Sequence, residues 1–446
     1  MSLKHNVLIK NGFLIYPEKT IKADIGIDNG KISSISKPGT MKGDTTLDAE
    51  GNFILPGLID PHTHPVYLDS ISDVSKTGAF GGVTTVIHYA YAKPGKSLIK
   101  TLKDWKAEGE STSYTDFALH GGLFETKKQA PEIPEAFAMG VTSFKMFMSY
   151  AKLGWMTDDY ALAMAMEIIG KHRGLAALHA ENGLVIDYIQ DKLLEEKADF
   201  AERFIETSPD LVEAEAIIRA AYIGRLMNCK VYIPHISSAE GIKAISFLKQ
   251  NGYGIYGETC PHYLSFTWDE LKRLGPLGKV GPSIKTEKDR RKLWEAIETR
   301  LIDTIGSDHA PKDKTEKDDF FKAPYGSPGI ETMLPAVWHY GVNSGKITPN
   351  RLVEITSENT AKIFGLFPRK GRLEKGSDAD IVIFDPREEW TVTPGNQHGN
   401  AKYTLYQGRS FIGRVKTVLS KGKIIVQGND FLGTKGDGQF LATRIT

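Results

Sequence analysis

The chain has 446 residues, 41% of them hydrophobic and 25% charged, the balance of a globular protein with a large core. Its 56 Lys and Arg against 55 Asp and Glu leave a formal net charge of +1, which excludes a broad basic surface for nucleic acid. Two cysteines, Cys229 and Cys260, give no disulfide framework and suit a reducing compartment. No signal-like apolar segment opens the sequence and no run nears the ~20 apolar residues of a membrane span, so the expectation is a cytoplasmic protein without a membrane partner.

Residues 1–52 read as short strands and turns. Val7–Lys10 is followed by Asn11-Gly12, a hairpin pair, and Ala23–Ile27 passes through Asp28-Asn29-Gly30 into Lys31–Ile35. These strands are too few for a core of their own. From residue 53 the pattern alternates strand and helix. Strands are expected at Phe53–Ile59, Thr84–His88, Asp116–His120, Ser143–Phe147, Leu175–His179, Val231–His235, Gly254–Glu258 and Asp303–Gly306. Helical patterns lie between them, such as Ser97–Glu108, Asp158–His172, Leu211–Leu226, Ala239–Gln250 and Lys288–Arg300. Near-continuous apolar strands alternating with helices predict an α/β fold, a (β/α)8 barrel over residues 53–368. Residues 369–446 return to strand and turn, and with 1–52 they are expected to form one small β-sandwich beside the barrel.

In such a barrel the chemistry gathers at the C-terminal ends of the strands. The first strand ends in His62-Thr63-His64, whose alternation puts both imidazoles on one side. The fourth carries Lys145, the fifth ends in His179, the sixth in His235, and the eighth leads into Asp308. A lysine in an apolar strand is costly to bury, and burial lowers its pKa. Its neutral amine can add carbon dioxide to give a carbamate, whose two oxygens can bridge two metals. Two divalent ions are therefore expected, most simply Zn²⁺, with His62, His64 and Asp308 on one, His179 and His235 on the other, and carboxylated Lys145 between. The pair would lower the pKa of a bridging water to give hydroxide, and Asp308 could carry its proton to a leaving nitrogen.

This ligand order resembles the amidohydrolase superfamily, and within it the cyclic amidases: hydantoinases and dihydropyrimidinases, with allantoinases and dihydroorotases as cousins. The matching stretches are Pro56–His64, Phe80–Thr85, Phe144–Met148, His179–Gly183, Glu258–Leu264, Gly306–His309 and Lys370–Asp380, spread over essentially the whole chain. The resemblance implies a carboxylated lysine, two zinc ions and hydrolysis of a cyclic amide bond, with a 5-substituted hydantoin or dihydropyrimidine opening to an N-carbamoyl amino acid. Hydantoinases place a tyrosine five residues after the bridging lysine; here it is Tyr150, an expected oxyanion donor. Dihydroorotases place an arginine two residues after the second histidine, where this chain has Val66. That leaves allantoinase or dihydroorotase chemistry as the alternative reading, and a non-catalytic scaffold of the same fold as the rival class. Gly281 and Tyr325 stand where the family holds substrate through serine and asparagine. The rim segments Val66–Leu68, Tyr89–Lys93 and Lys152–Met156 are apolar and aromatic, which suggests an uncharged or aromatic ring substituent. A homodimer or homotetramer is expected by resemblance alone.

Overall fold

The computed structural model describes residues 3–445. Its first sheet begins with β1 (Leu3–Ile15), β2 (Thr20–Asp28), β3 (Lys31–Ser36), β4 (Met41–Asp48) and β5 (Phe53–Pro56). Eight parallel strands follow: β6 (Leu58–Thr63), β7 (Val83–Ala92), β8 (Asp116–Leu123), β9 (Ser143–Phe147), β10 (Leu175–His179), β11 (Lys230–Ile233), β12 (Ile255–Thr259) and β13 (Thr304–Ile305). The chain then returns to the first sheet with β14 (Ile381–Thr391), β15 (Ser410–Ser420), β16 (Lys423–Gln427) and β17 (Asp430–Phe431).

The parallel strands run in sequence order from β6 to β13, and a bridge between Thr63 and His309 brings the last segment back to the first. This is the expected (β/α)8 barrel. Helices Leu98–Thr112, Asp159–Lys171 and Ala239–Gln250 begin where Ser97, Asp158 and Ser238 accept a first-turn amide, as N-caps do. The terminal strands form a nine-stranded sheet from both ends of the chain, with its own core of Ile9, Ile25, Ile27, Ile54, Ile381 and Leu419.

Two local expectations change. The apolar run Phe53–Ile59 is two strands: β5 pairs antiparallel with β14, and only from Leu58 does the chain enter the barrel. The switch falls at Gly57, where an added Cβ would meet the Thr84 hydroxyl at 2.0 Å, so only glycine lets the chain pass this close to β7. Asn11-Gly12 is a bulge inside β1 rather than a hairpin turn. Asn11 takes φ 60°, the register against β2 shifts between Ile9 and Gly12, and β1 changes its other neighbour from β4 to β5 there. The barrel's base is fastened to the terminal sheet by a buried charge cluster. Lys370 Nζ lies 2.7 Å from Asp116, 3.0 Å from Asp378 and 2.5 Å from Asp380, and Lys421 reaches Asp116 at 2.6 Å.

Candidate metal centre

At the opposite end of the barrel, His62 and His64 project to one side of β6 with ring centroids 5.1 Å apart. The loop after β13 brings Asp308 Oδ1 to 3.1 Å from His62 Nε2 and 3.0 Å from His64 Nε2. The ligand atoms of these three residues all lie within 4.8 Å of one another. His235 stands 5.3 Å from His62 and 4.6 Å from His179, ring to ring, so the four imidazoles form one arc around the rim. His235, Asp308 and Tyr150 all sit in the left-handed region, at φ 45°, 48° and 64°. Each such residue costs about 1–2 kcal/mol. Strain of this kind collects at functional sites, where the surroundings overrule the local preference.

The two histidines of β6 are aimed from behind. His62 Nδ1 is 2.6 Å from Glu258 Oε1, and the Tyr91 hydroxyl is 3.0 Å from His64 Nδ1. With Nδ1 engaged, Nε2 is the free ligand atom in both. Glu258 is itself held, accepting from the Tyr232 hydroxyl at 2.7 Å and from the His235 backbone N–H at 3.2 Å. Burial alone would lower the pKa of His62, but Glu258 and Asp308 outweigh it and lift it to about 9. Burial also works to raise Asp308, and the charge of His62 overrides it and holds the carboxyl well below its usual range. Burial pushes His64 down to about 4 against the pull of Asp308. His235 falls well below its ordinary value through burial and the neighbouring cations.

Lys145 is 1% exposed, and its ammonium has no hydrogen-bond partner. It lies over the rings of Tyr89 and Phe147, 5.1 and 5.2 Å from their centroids. Burial lowers its pKa to about 8, against the opposing pull of Asp308 and Glu258. His62 Nε2 and the Tyr89 hydroxyl are also buried without a hydrogen bond. An orphaned imidazole nitrogen at the centre of an imidazole and carboxylate cluster, as His62 Nε2 is, is what a divalent ion would satisfy. His179 is placed differently: its Nε2 lies 2.6 Å from Glu181 Oε2, and the Ser208 hydroxyl donates to the same carboxylate. Among the described residues the three-donor groups are His62 with His64 and Asp308, and His62 with Glu258 and Cys260. His179 and His235, 4.6 Å apart ring to ring, belong to neither group.

The three residues expected to face substrate come together. The Tyr150 ring is 4.9 Å from His179 and 6.3 Å from Tyr325. A Cβ on Gly281 would come within 2.9 Å of the Tyr150 hydroxyl and 3.1 Å of the Tyr325 ring, so any side chain at 281 would crowd both. Glu258, Tyr91 and Glu181 were not anticipated in their supporting places. The signal for Glu258 was its position, closing the seventh strand as His235 closes the sixth region of the rim.

A family model described as the amidohydrolase family matches residues 53–425. The chain belongs to the amidohydrolase family. Among relatives of this amidohydrolase, a D-hydantoinase of Ralstonia pickettii is 34% identical, over 98% of this chain and 99% of the relative. A dihydropyrimidinase of Rattus norvegicus is 31% identical, over 99% of this chain and 89% of the relative. A solved D-hydantoinase structure superposes with a TM-score of 0.94 at 33% identity, covering 99% of both chains. Within the family this amidohydrolase therefore falls in the hydantoinase and dihydropyrimidinase branch, and as a member it is a hydrolase. Amidohydrolases ordinarily work through a metal centre, and the cluster of His62, His64 and Asp308 is this chain's candidate. Among the described residues no helix is long and apolar enough to cross a membrane.

Proposed function

We propose that the chain opens the cyclic amide bond of a 5-substituted hydantoin or a dihydropyrimidine, giving an N-carbamoyl amino acid. His62, His64, His179, His235, Asp308 and a carboxylated Lys145 would hold two divalent ions, Zn²⁺ by donor type. The observation that carries the reading is Lys145, buried and unpartnered among four histidines. An ammonium there is uncompensated, whereas a carbamate would turn the same side chain into an anionic ligand for the donors around it. When bound, the metal pair supplies Lewis acidity and a water acidic enough to ionise near neutral pH.

The chain's own residues supply the rest. Glu258 and the Tyr91 hydroxyl fix the rings of His62 and His64 in one orientation. Burial, reinforced by Glu181, raises the pKa of Tyr150 well above its ordinary value, so its O–H stays protonated and can donate to the amide oxygen as charge builds there. Asp308, held ionised, takes the proton lost when water adds to the ring carbonyl. It returns that proton to the ring nitrogen as the C–N bond breaks. The products are a terminal ureido NH2 and a carboxylic acid, which ionises to the carboxylate by releasing a proton to solvent. Gly281 and Tyr325 would line the substrate through backbone and ring contacts. Two buried free thiols, Cys229 and Cys260, suit the cytoplasm, and a homodimer or homotetramer enters the proposal through the family resemblance.

The test is metal content together with a substrate panel of hydantoin, dihydrouracil, allantoin and dihydroorotate. Two zinc ions per chain with opening of hydantoin or dihydrouracil is the expected result. A protein that carries no metal and opens none of the four after zinc and bicarbonate are added would overturn the proposal.

A further inference from the structure

The cavity above the candidate centre has two unlike walls. One is aromatic, from Tyr91, Phe124, Phe147 and Trp155. The other is cationic, with Lys279, Lys312 and Lys322 lining it and Lys314 behind. Lys279 and Lys314 are only 4% and 6% exposed. Among the described residues none of these four ammoniums forms an ion pair, and the one carboxylate lining the cavity, Asp308, is engaged by His62 and His64. Of the acids nearby, Asp318 accepts from Thr315, and Asp319 from the Lys322 backbone N–H. A cluster of like charges without ion pairs on one wall of a cavity is costly and focuses a positive field into it.

The lysines are not equally available. Lys279 Nζ donates to the carbonyls of Phe320 and Phe321 at 2.9 and 2.8 Å, and Lys314 Nζ to the Lys279 carbonyl at 3.0 Å. Lys312 rests its ammonium on the face of Tyr67, lines the cavity and, among the described residues, makes no hydrogen bond through Nζ, so no protein acceptor occupies its donors. Burial pushes Lys312 and Lys314 down to about 7 and Lys279 to about 8, against the weaker pull of Asp308, Asp318 and Asp319 respectively.

We propose that this wall recognises an acidic ring substituent: Lys312 receives a carboxylate borne by the 5-position of the cyclic amide, while the aromatic wall packs the ring and spacer. The inference rests on the ring-opening reading above and narrows its substrate class. The product is the N-carbamoyl derivative of an acidic amino acid. It also revises the uncharged or aromatic substituent suggested by the rim segments, because Lys279, Lys312 and Lys322, which lie outside those segments, line the same cavity.

The experiment compares kcat/KM for 5-(carboxymethyl)hydantoin with that for the isosteric 5-(carbamoylmethyl)hydantoin, using the metal-loaded enzyme. The acid should be preferred by about 30-fold at low salt, the equivalent of one hydrogen bond to a charged group, and the preference should shrink as ionic strength rises. Lys312→Met should bring the ratio close to one, chiefly through KM for the acid, and Lys312→Arg should keep most of it. Equal or better turnover of the amide overturns this inference and leaves the ring-opening reading standing, as does a Lys312→Met enzyme that keeps the preference. Failure to open any hydantoin overturns both.

Discussion

Lys370 and Lys145, the two most deeply buried lysines among the described residues, lie at opposite ends of one barrel and are treated in opposite ways. Lys370 at the base is 2% exposed and touches three carboxylates, Asp116, Asp378 and Asp380. Burial works to lower its pKa, and the three carboxylates overcome it and raise it. Lys145 at the rim is 1% exposed and touches none, and burial wins. The same side chain is a structural rivet in one place and a latent amine in the other. The difference is the supply of counter-charge, since an ammonium withdrawn from water is stable only when paired. A fold that completes its ion pairs at the base has left one incomplete at the rim, where a chemical modification would complete it.

The strongest way to break the comparison is to remove each lysine. Lys145→Ala should lose both metal and turnover, by more than the 10–100-fold in metal affinity that loss of a supporting residue costs. Metal analysis and ring opening would check it, and partial rescue by a small carboxylic acid would identify the missing group as an anion. Lys370→Met should leave kcat/KM of the folded enzyme unchanged but strand Asp380, whose one cationic partner among the described residues it is, while Asp116 keeps Lys421 and Asp378 keeps Arg369 and Lys31. That costs about 3–5 kcal/mol of stability, read by denaturant unfolding. If Lys370→Met loses turnover without losing stability, base and rim are not separate functions.

How much of this was legible beforehand follows the same division. The barrel was readable because parallel strands buried on both faces are plain apolar runs, and the six candidate ligands could be read off along or just beyond them, Lys145 within β9 and Asp308 after β13. The sheet switch at Gly57 was not, because Phe53–Ile59 is apolar throughout and only the neighbouring Thr84 reveals where it must break. Glu258 could be placed on a strand, but that it sets the ring of His62, 196 residues away in sequence, is a fact of the closed barrel. The cationic wall was missed for a related reason. Lys279 and Lys312 look like solvated loop residues until the fold turns both onto one cavity.

Smaller effects sharpen the account of the rim. Tyr150→Phe should lower kcat by about 10²–10³ with KM little changed, as expected for a donor that acts mainly in the transition state. An unchanged kcat would remove Tyr150 from the chemistry. Glu258→Gln keeps the shape but weakens the acceptor at His62 Nδ1. Metal affinity should fall by about 10–100-fold, measured by competition with a chelator.

The finest test is pH, because the two lysines give opposite signs. Lys370 has a folded pKa above that of a free lysine, so its contribution is complete below about 10.4 and is lost only as pH rises through the higher folded value. Lys145, at about 8, lies below a free lysine. Between pH ~8 and ~10.4 the unfolded chain then binds the extra proton, so metal-free protein should gain stability across that window. Lys145→Met should lack that part of the gain. The same depression governs carbamate formation, since only the neutral amine adds carbon dioxide. At fixed dissolved carbon dioxide and free zinc, reloading of stripped protein should speed up about tenfold per pH unit below 8 and level off above it. A rate still climbing tenfold per unit beyond pH ~9 would mean that Lys145 titrates as a solvated lysine does. Its isolation at the rim would then have no chemical consequence.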